Sequence, residues 1–248
     1  MRSVWAATAF VIFIIVTTLV YKLPAKFIYQ QFSSVSSVEL VGISGSIWSG
    51  HVDSITTPQL TLNQLSWQLS VWALLVGDVD VQWKLEDPAL QLQGEARLSG
   101  EELSLVDIKG HIDLVELGTR LPAQDVLLAG VINIDIPQTK FKQSELINMT
   151  GLVKWQSAQL LSPANIEFGD FKADISNSAG KLLANLNDTG GPVSLTGVFS
   201  LSPRGVYDYT LEIAVRDTSV PGLLDGFNQL GQHDNNGVAT LRGNGMLF

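Results

Sequence analysis

The chain divides into two parts that differ in their pattern of hydrophobic and polar positions. Residues 4–21 are largely apolar and carry no charge, whereas from residue 33 onward apolar and polar side chains alternate. The alternation is clearest in "LSWQLSV" (65–71), "VDVQWKLE" (79–86), "VINIDIP" (131–137) and "VYDYTLEIAV" (206–215). A period of two, bounded by Gly, Pro, Asn and Asp, predicts antiparallel strands with one apolar and one polar face.

The uncharged run from Val4 to Tyr21 predicts a membrane-spanning helix. At 1.5 Å per residue it would be about 27 Å long, close to the thickness of the bilayer core. Trp5 and Tyr21 stand at its two ends, where interfacial aromatic residues belong. A cleaved signal peptide is the alternative, but its apolar region is normally shorter, and "VYKLPAKF" offers no small-x-small cleavage site. We therefore predict an uncleaved signal anchor over residues 4–21.

The orientation of this anchor rests on few charges. Arg2 lies before it and Lys22 and Lys26 lie after it, so the positive-inside count is nearly balanced. All 24 acidic residues but only 12 of the 15 basic ones follow Lys26. Because a short head is easily left behind while a long acidic domain is exported, we predict that the N-terminus stays inside.

Glycines recur within the alternating segments in the pattern apolar-x-Gly-x-apolar. The six aligned positions are Gly94, Gly110, Gly130, Gly151, Gly197 and Gly243. Glycine inside a strand usually marks a bulge or a bend, so the pattern predicts a meander of hairpins that curves on itself. Few helices are predicted: 23–32 could extend the membrane helix, 71–77 could form one turn, and 220–231 places Leu223, Phe227 and Leu230 at helical spacing. The predicted fold is therefore mainly β: an N-terminal transmembrane helix followed by a curved antiparallel sheet of glycine-bent hairpin repeats.

Charge and composition exclude several classes of function. The excess of acidic residues argues against a nucleic-acid partner, which requires a basic patch. The chain has no cysteine, which excludes disulfides, thiolate metal sites and a cysteine nucleophile.

The stretch "VGISGSIWSGHVDS" (41–54) has the appearance of a catalytic or phosphate-binding loop. A nucleophile elbow needs Gly-x-Ser-x-Gly before a helix, but Ser46 occupies the final position and strand-like sequence follows. The glycine spacing does not fit a dinucleotide loop either. Asp78 and Asp80 lack the glycine and glutamate of a calcium loop. These segments therefore predict sheet and turns, with no cofactor site.

Two His-x-Asp pairs are the remaining candidates for chemistry. His51 with Asp53 and His111 with Asp113 would each share one face of a strand, as a metal site or a general base requires. A metal site needs three or four ligands, and the third histidine, His233, lies in a predicted loop. Solvent-facing positions on an amphipathic sheet explain all three histidines. The sequence thus predicts no catalytic, cofactor or metal site and no enzyme.

Two motifs near the start of the alternating region resemble a known family. "GISGSIWSG" and "LNQLSWQLSVWALLVG" resemble the protein N family of the type II (general) secretion pathway of Gram-negative bacteria. Ser46 stands where that family has Thr, and Val71 where it typically has Pro. The matching positions, which we interpret as structural, are Gly45, Ile47, Trp48, Gly50, Leu62, Leu65, Trp67, Leu69, Leu74, Leu75 and Gly77.

This resemblance implies an accessory component of the machinery that exports folded proteins from the periplasm across the outer membrane. It implies a bacterial inner-membrane protein with residues 1–3 in the cytoplasm, residues 4–21 in the membrane, a juxtamembrane segment at 22–32 and a periplasmic domain at 33–248. Its partners would be other secretion components in the inner membrane and periplasm. The alternative is an AsmA-like β-groove that binds or transfers lipid. The face carrying Val79, Val81, Trp83 and Leu85 would then be an open apolar trough, rather than the packed core of a closed sandwich.

Overall fold

The computed structural model describes residues 24–26, 38–121, 125–143, 145–228, 234 and 236–246. The predicted anchor from Val4 to Tyr21 and the candidate residue His233 lie outside these ranges. Within the described residues, no helix is both long enough and apolar enough to cross a membrane.

Fourteen strands and three short helices make up the described part of the chain. The strands are β1 (Glu39–Val41), β2 (Ser44–Gly45), β3 (Ser49–Thr56), β4 (Thr61–Leu69), β5 (Asp78–Glu86), β6 (Leu90–Ser99), β7 (Glu102–Asp113), β8 (Leu127–Lys142), β9 (Glu145–Ser162), β10 (Ile166–Ser178), β11 (Lys181–Gly190), β12 (Val193–Leu201), β13 (Val206–Val215) and β14 (Val238–Met246). The helices are α1 (Val71–Leu75), α2 (Leu114–Gly118) and α3 (Leu223–Asn228).

All fourteen strands belong to one antiparallel sheet. From β3 onward each strand pairs with the next along the chain, β1 lies outside β3, and β2 pairs with the start of β3. The four segments with the clearest alternation all contribute to strands, and 206–215 coincides with β13. The prediction of a mainly β fold built from successive hairpins is confirmed. The strands do not divide into two sheets, so the closed sandwich is not the architecture observed.

The apolar residues of neighbouring strands face each other across the sheet. Trp83 pairs with Trp67 on one side and with Gly94 on the other, while Leu85 pairs with Leu65 and Leu92. Cross-strand contacts of this kind are the unit of sheet stabilisation. Leu85 is buried, whereas its neighbours on the same face of β5 are only half-buried. The apolar face is therefore partly covered at this end of the sheet.

Curvature of the sheet brings distant strands together in the C-terminal half. Trp155 on β9 and Ile213 on β13 line the same cavity, although four strand spacings separate them, about 19 Å in a flat sheet. The buried cluster of Ile166, Val193 and Leu223 lies beside this cavity and joins β10 and β12 to α3. The hydrophobic cluster of the C-terminal half thus lies between the curved sheet and α3.

Several strand glycines make room for an aromatic ring on the neighbouring strand. A Cβ atom on Gly243 would lie 2.6 Å from the ring of Tyr209, its cross-strand partner. Gly94 packs against Trp83 in the same way, at 3.1 Å. Of the six aligned glycines, Gly94, Gly130 and Gly151 coincide with shifts in strand register, as predicted for bulges. Aromatic packing over glycine pins strand register, which the glycine pattern alone did not indicate.

The connections between strands lie along two opposite edges of the sheet, and each of these edges is formed by the ends of the strands rather than by an edge strand. The turn at 46–48, α1 and the turn at 100–101 lie at one edge, and α2, α3 and the turn at 57–60 lie at the other. Pro24 forms an isolated antiparallel bridge with Ser46. The edge that carries Pro24, Ser46 and α1 is named the anchor-side edge below, because the predicted anchor ends at Tyr21.

Candidate functional site

The two halves of the family motif form a single structural unit at the anchor-side edge. Gly45 has φ of +82°, and a Cβ atom there would lie 2.5 Å from the backbone oxygen of Ser49. The Ser46 hydroxyl accepts hydrogen bonds from the amides of Trp48 and Ser49, both at 3.3 Å. The Leu69 amide donates to the carbonyl of Trp48 at 2.7 Å. This hairpin turn is therefore fastened to the end of β4.

Trp67 joins the same unit through its side chain. Its indole nitrogen donates to the carbonyl of Ile47 at 3.1 Å, and its ring covers Gly50, where a Cβ atom would lie 2.1 Å from Cζ2. Gly50 lies within β3 and pairs with Trp67 across the sheet. Gly77 has φ of +90° and follows α1, where its amide donates to Leu74. These contacts hold Gly50, Trp67 and Gly77 in place, whereas Leu74 and Leu75 of the same motif are exposed.

The two His-x-Asp pairs lie on strands that are not neighbours. His51 is on β3 and His111 is on β7, four strand spacings apart in the sheet order, which is about 19 Å in a flat sheet. His51 Nε2 lies 3.2 Å from Asp53, whereas Asp113 caps α2 by accepting a hydrogen bond from the Glu116 amide. Among the described residues, no group of three or more His, Asp or Glu side chains is arranged to hold a metal ion.

The polar face carries a depression of about 500 Å³ over β4, β5 and β6. Amide and charged side chains line it, including Gln68, Gln82, Lys84, Gln93 and Glu95. Neither His-x-Asp pair borders it, although His111 borders a second depression of about 200 Å³. The arrangement is a solvated polar surface with no recognisable catalytic geometry.

A buried carboxylate connects three elements at the opposite edge and was not identified from the sequence. Asp87 is 0% exposed and accepts hydrogen bonds from Arg120 at 2.7 and 2.9 Å, from the backbone and side chain of Asn63 at 2.9 Å, and from the Ala89 amide at 2.8 Å. Burial alone raises the pKa of Asp87, but the hydrogen bonds from Ala89, Arg120 and Asn63 outweigh it and lower the pKa below its usual value.

Arg120 extends this network to the surface by donating to Glu116 at 2.8 Å. The carboxylate lone pairs of Asp87 all accept these hydrogen bonds, so none is left to bind a substrate. Its position before Pro88, directly after the alternating segment 79–86, was the only signal in the sequence, and nothing there pointed to Arg120. We interpret the Asp87–Arg120 pair as a structural tie between β4, the β5–β6 turn and the residues after α2.

The most distinctive concave feature is an apolar cavity of about 470 Å³ between the curled sheet and α3. Among the described residues of its lining, the only polar side-chain atom is the indole nitrogen of Trp155, which donates to the carbonyl of Ala129 at 3.0 Å. The cavity therefore offers apolar contact and no polar recognition. Its lining comprises Trp155, Leu160, Ile166, Phe168, Phe171, Leu186, Val193, Leu195, Ile213, Val215, Leu223, Gly226 and Phe227. Helical spacing had placed Leu223 and Phe227 on one face, but the enclosed space could not be foreseen.

Comparison with known proteins identifies the family of the chain. The family model described as "Type II secretion system (T2SS), protein N" matches residues 36–242, which span almost the whole described sheet. The chain belongs to the type II secretion system protein N family. The resemblance carried by the two motifs is thereby confirmed, and membership supports a role as a component of type II secretion.

Relatives named "Type II secretion system protein N" match over much of their length. The one from Aeromonas hydrophila is 26% identical over 92% of this chain and 93% of its own length. Those from Klebsiella pneumoniae and Vibrio cholerae are 26% and 27% identical over 81% and 60% of this chain, and over 79% and 61% of their own lengths. No solved structure matches the chain. The family is one of secretion components, in accord with the lack of an assembled active site among the described residues.

Proposed function

We propose that the chain is an accessory inner-membrane component of the type II secretion machinery, which exports folded proteins from the periplasm across the outer membrane. Residues 4–21 anchor it in the membrane, residues 1–3 remain in the cytoplasm, and residues 33–248 form the periplasmic domain. The observation that carries the proposal is the family match over residues 36–242, which covers thirteen of the fourteen strands in full. The uncharged run and the acidic, cysteine-free remainder support the location.

The geometry suggests how such a component would contact its partners. The order of the sheet ends at β14, a strand of nine residues, and within the described part of the chain no strand pairs with its outer side. Open edge strands present unpaired backbone groups that can bind a strand of another protein. We therefore expect a secretion component to pair with β14.

Gene deletion and complementation test the secretion role. We expect deletion to leave part of an exported protein in the periplasm and the full chain to restore its release into the medium. Only a partial defect is expected, because the component is accessory. Unchanged release in the deletion strain would contradict the proposal. An alkaline phosphatase fusion after Phe248, active only if that end is periplasmic, tests the location independently.

A second function, lipid binding, is favoured by the apolar cavity. Its volume of about 470 Å³ lies within the range of about 300–1,000 Å³ that is usual for ligand sites. Because its only polar side-chain group is already hydrogen-bonded, the cavity suits an uncharged acyl chain better than a polar metabolite. The partly covered apolar face of β5 supports this alternative less strongly.

Filling the cavity tests lipid binding. Gly226 lines the cavity, and a Cβ atom on it would have 3.8 Å of space to Ile166. Gly226→Leu should therefore occupy the cavity, while Asp225→Leu adds the same side chain to α3 outside the lining. We expect a photoactivatable fatty acid to crosslink to peptides 155–171 and 223–228 in the unmodified chain and in D225L, and several-fold less in G226L. Equal labelling of all three proteins would exclude the cavity as the site. A lack of label on those two peptides would also exclude it.

A further inference from the structure

The loop between β4 and β5 exposes a compact group of large apolar side chains. Trp72, Leu75 and Val76 are 79%, 72% and 77% exposed, and Val71 and Leu74 are also exposed. These five residues are named the apolar tip. The helix that carries most of them, α1, buries none of its residues. Trp72, Leu75 and Val76 therefore contribute little packing that would account for the composition of the apolar tip.

The apolar tip also lacks charge. No Asp, Glu, Lys or Arg occurs from Leu69 to Gly77, and the first charged residue after the tip is Asp78. Protein-docking surfaces normally carry a polar rim around an apolar centre. A short, uncharged projection with an exposed tryptophan is instead the composition of a segment that enters the interface of a bilayer.

The position of the tip relates it to the predicted anchor. Pro24 is bridged to Ser46, and it lies three positions after Tyr21, so the chain between them spans at most about 11 Å. The turn at 46–48 is in turn bonded to the end of β4 through the Leu69 amide. The tip begins two residues later, and its five-residue helix is about 7.5 Å long. One bridge, one turn and one backbone hydrogen bond thus connect Pro24 to the start of the tip, and all of them lie on the anchor-side edge.

We propose that the apolar tip inserts into the periplasmic leaflet of the inner membrane, so that the sheet stands on the bilayer through two contacts. The anchor supplies the first contact and the tip the second. The anchor-side edge then faces the membrane, while α2, α3 and the apolar cavity face away from it. The inference rests on the proposed membrane anchor and is independent of the secretion role.

The lack of cysteine makes a direct test possible. A single cysteine introduced as Leu75→Cys can carry an environment-sensitive NBD fluorophore as the only label on the full chain. Val126→Cys is the matched control, because Val126 is a 49%-exposed aliphatic residue at the opposite edge. Both proteins are reconstituted into vesicles of phosphatidylethanolamine and phosphatidylglycerol, and flotation with the vesicles verifies the anchor separately.

Quenching distinguishes the possible environments of the tip. We expect nitroxide-labelled lipid to quench NBD at position 75 at least threefold more than at 126, and aqueous iodide to show the opposite order. If the protein floats with the vesicles but iodide quenches NBD similarly at positions 75 and 126, the proposal is overturned. Protection of position 75 only after a purified secretion component is added would also overturn it, since the tip would then be a protein-docking site. Failure to float would refute the anchor instead.

A further substitution tests whether apolarity causes the insertion. Trp72→Asp in the L75C protein changes a side chain that makes little contact with the fold, so the circular dichroism spectrum should not change. We expect lipid quenching at position 75 to fall to the level of the control at 126. Unaltered quenching in this variant would show that the anchor alone holds the tip at the membrane, contrary to the proposal.

Discussion

The buried Asp87 carboxylate provides the sharpest test of how the opposite edge is held together. In Asp87→Asn one of two accepting oxygens becomes an NH₂ group that faces the donors Arg120, Asn63 and Ala89. Losing one partner of a buried, hydrogen-bonded ion pair typically costs about 3–5 kcal/mol. For a chain of about this size, each kcal/mol lowers Tm by about 2–4 °C. We therefore expect D87N to unfold about 6–20 °C below the unmodified protein at pH 7.

The lowered pKa of Asp87 also predicts how the loss of stability in D87N changes with pH. The pKa of Asp87 is lowered in the folded protein, whereas an unfolded aspartate has a pKa of about 3.9. Its stabilisation is therefore fully present above about pH 4 and is lost as the pH falls through the folded pKa. The gap in Tm between the unmodified protein and D87N should stay constant from pH 7 to about pH 5 and narrow below about pH 4.

Thermal unfolding of the full chain, followed by circular dichroism, measures both effects. Glu116→Gln is the control, because Glu116 bonds to the same Arg120 but its side chain is 47% exposed. An exposed pair contributes at most about 1 kcal/mol. D87N and R120M remove the same interaction. The double variant should therefore be no less stable than the less stable of the two single variants. A Tm for D87N within 2 °C of the unmodified value would refute the reasoning.

Two further predictions concern strand packing and a second ion pair. Gly50→Ala should destabilise the protein by about 1–3 kcal/mol because its Cβ atom collides with Trp67, whereas Gly226→Ala in α3 should stabilise it by about 0.5–1 kcal/mol. Urea unfolding measures both, and equal midpoints would contradict the packing argument. Although burial raises the pKa of Asp188, hydrogen bonds from Arg216 and backbone amides lower it overall. Arg216→Met should therefore cost about 1 kcal/mol at pH 7 and progressively less below about pH 4, and a cost that persists in acid would contradict this assignment.

Local patterns were enough to predict the strands, because alternation records which face each residue occupies. They could not predict that Trp67 covers Gly50, since this contact depends on the register between β3 and β4. The same limit applies to Asp87 and Arg120, which are 33 positions apart and meet only after the meander has formed. Helical spacing predicted that Leu223 and Phe227 share one helix face, but the cavity beneath them forms only because the sheet curves. The family was accessible because its two motifs lie close together along the chain.

The claim that the chain works within the type II secretion machinery is tested most directly by photocrosslinking in cells. A photoreactive amino acid at Asn244, on the open edge strand β14, should capture an inner-membrane or periplasmic component of that machinery. Asn185, on β11 in the interior of the sheet, is an exposed control position and should yield much less of the same product. Capture of no secretion component from either position, in cells that are actively secreting, would contradict the account.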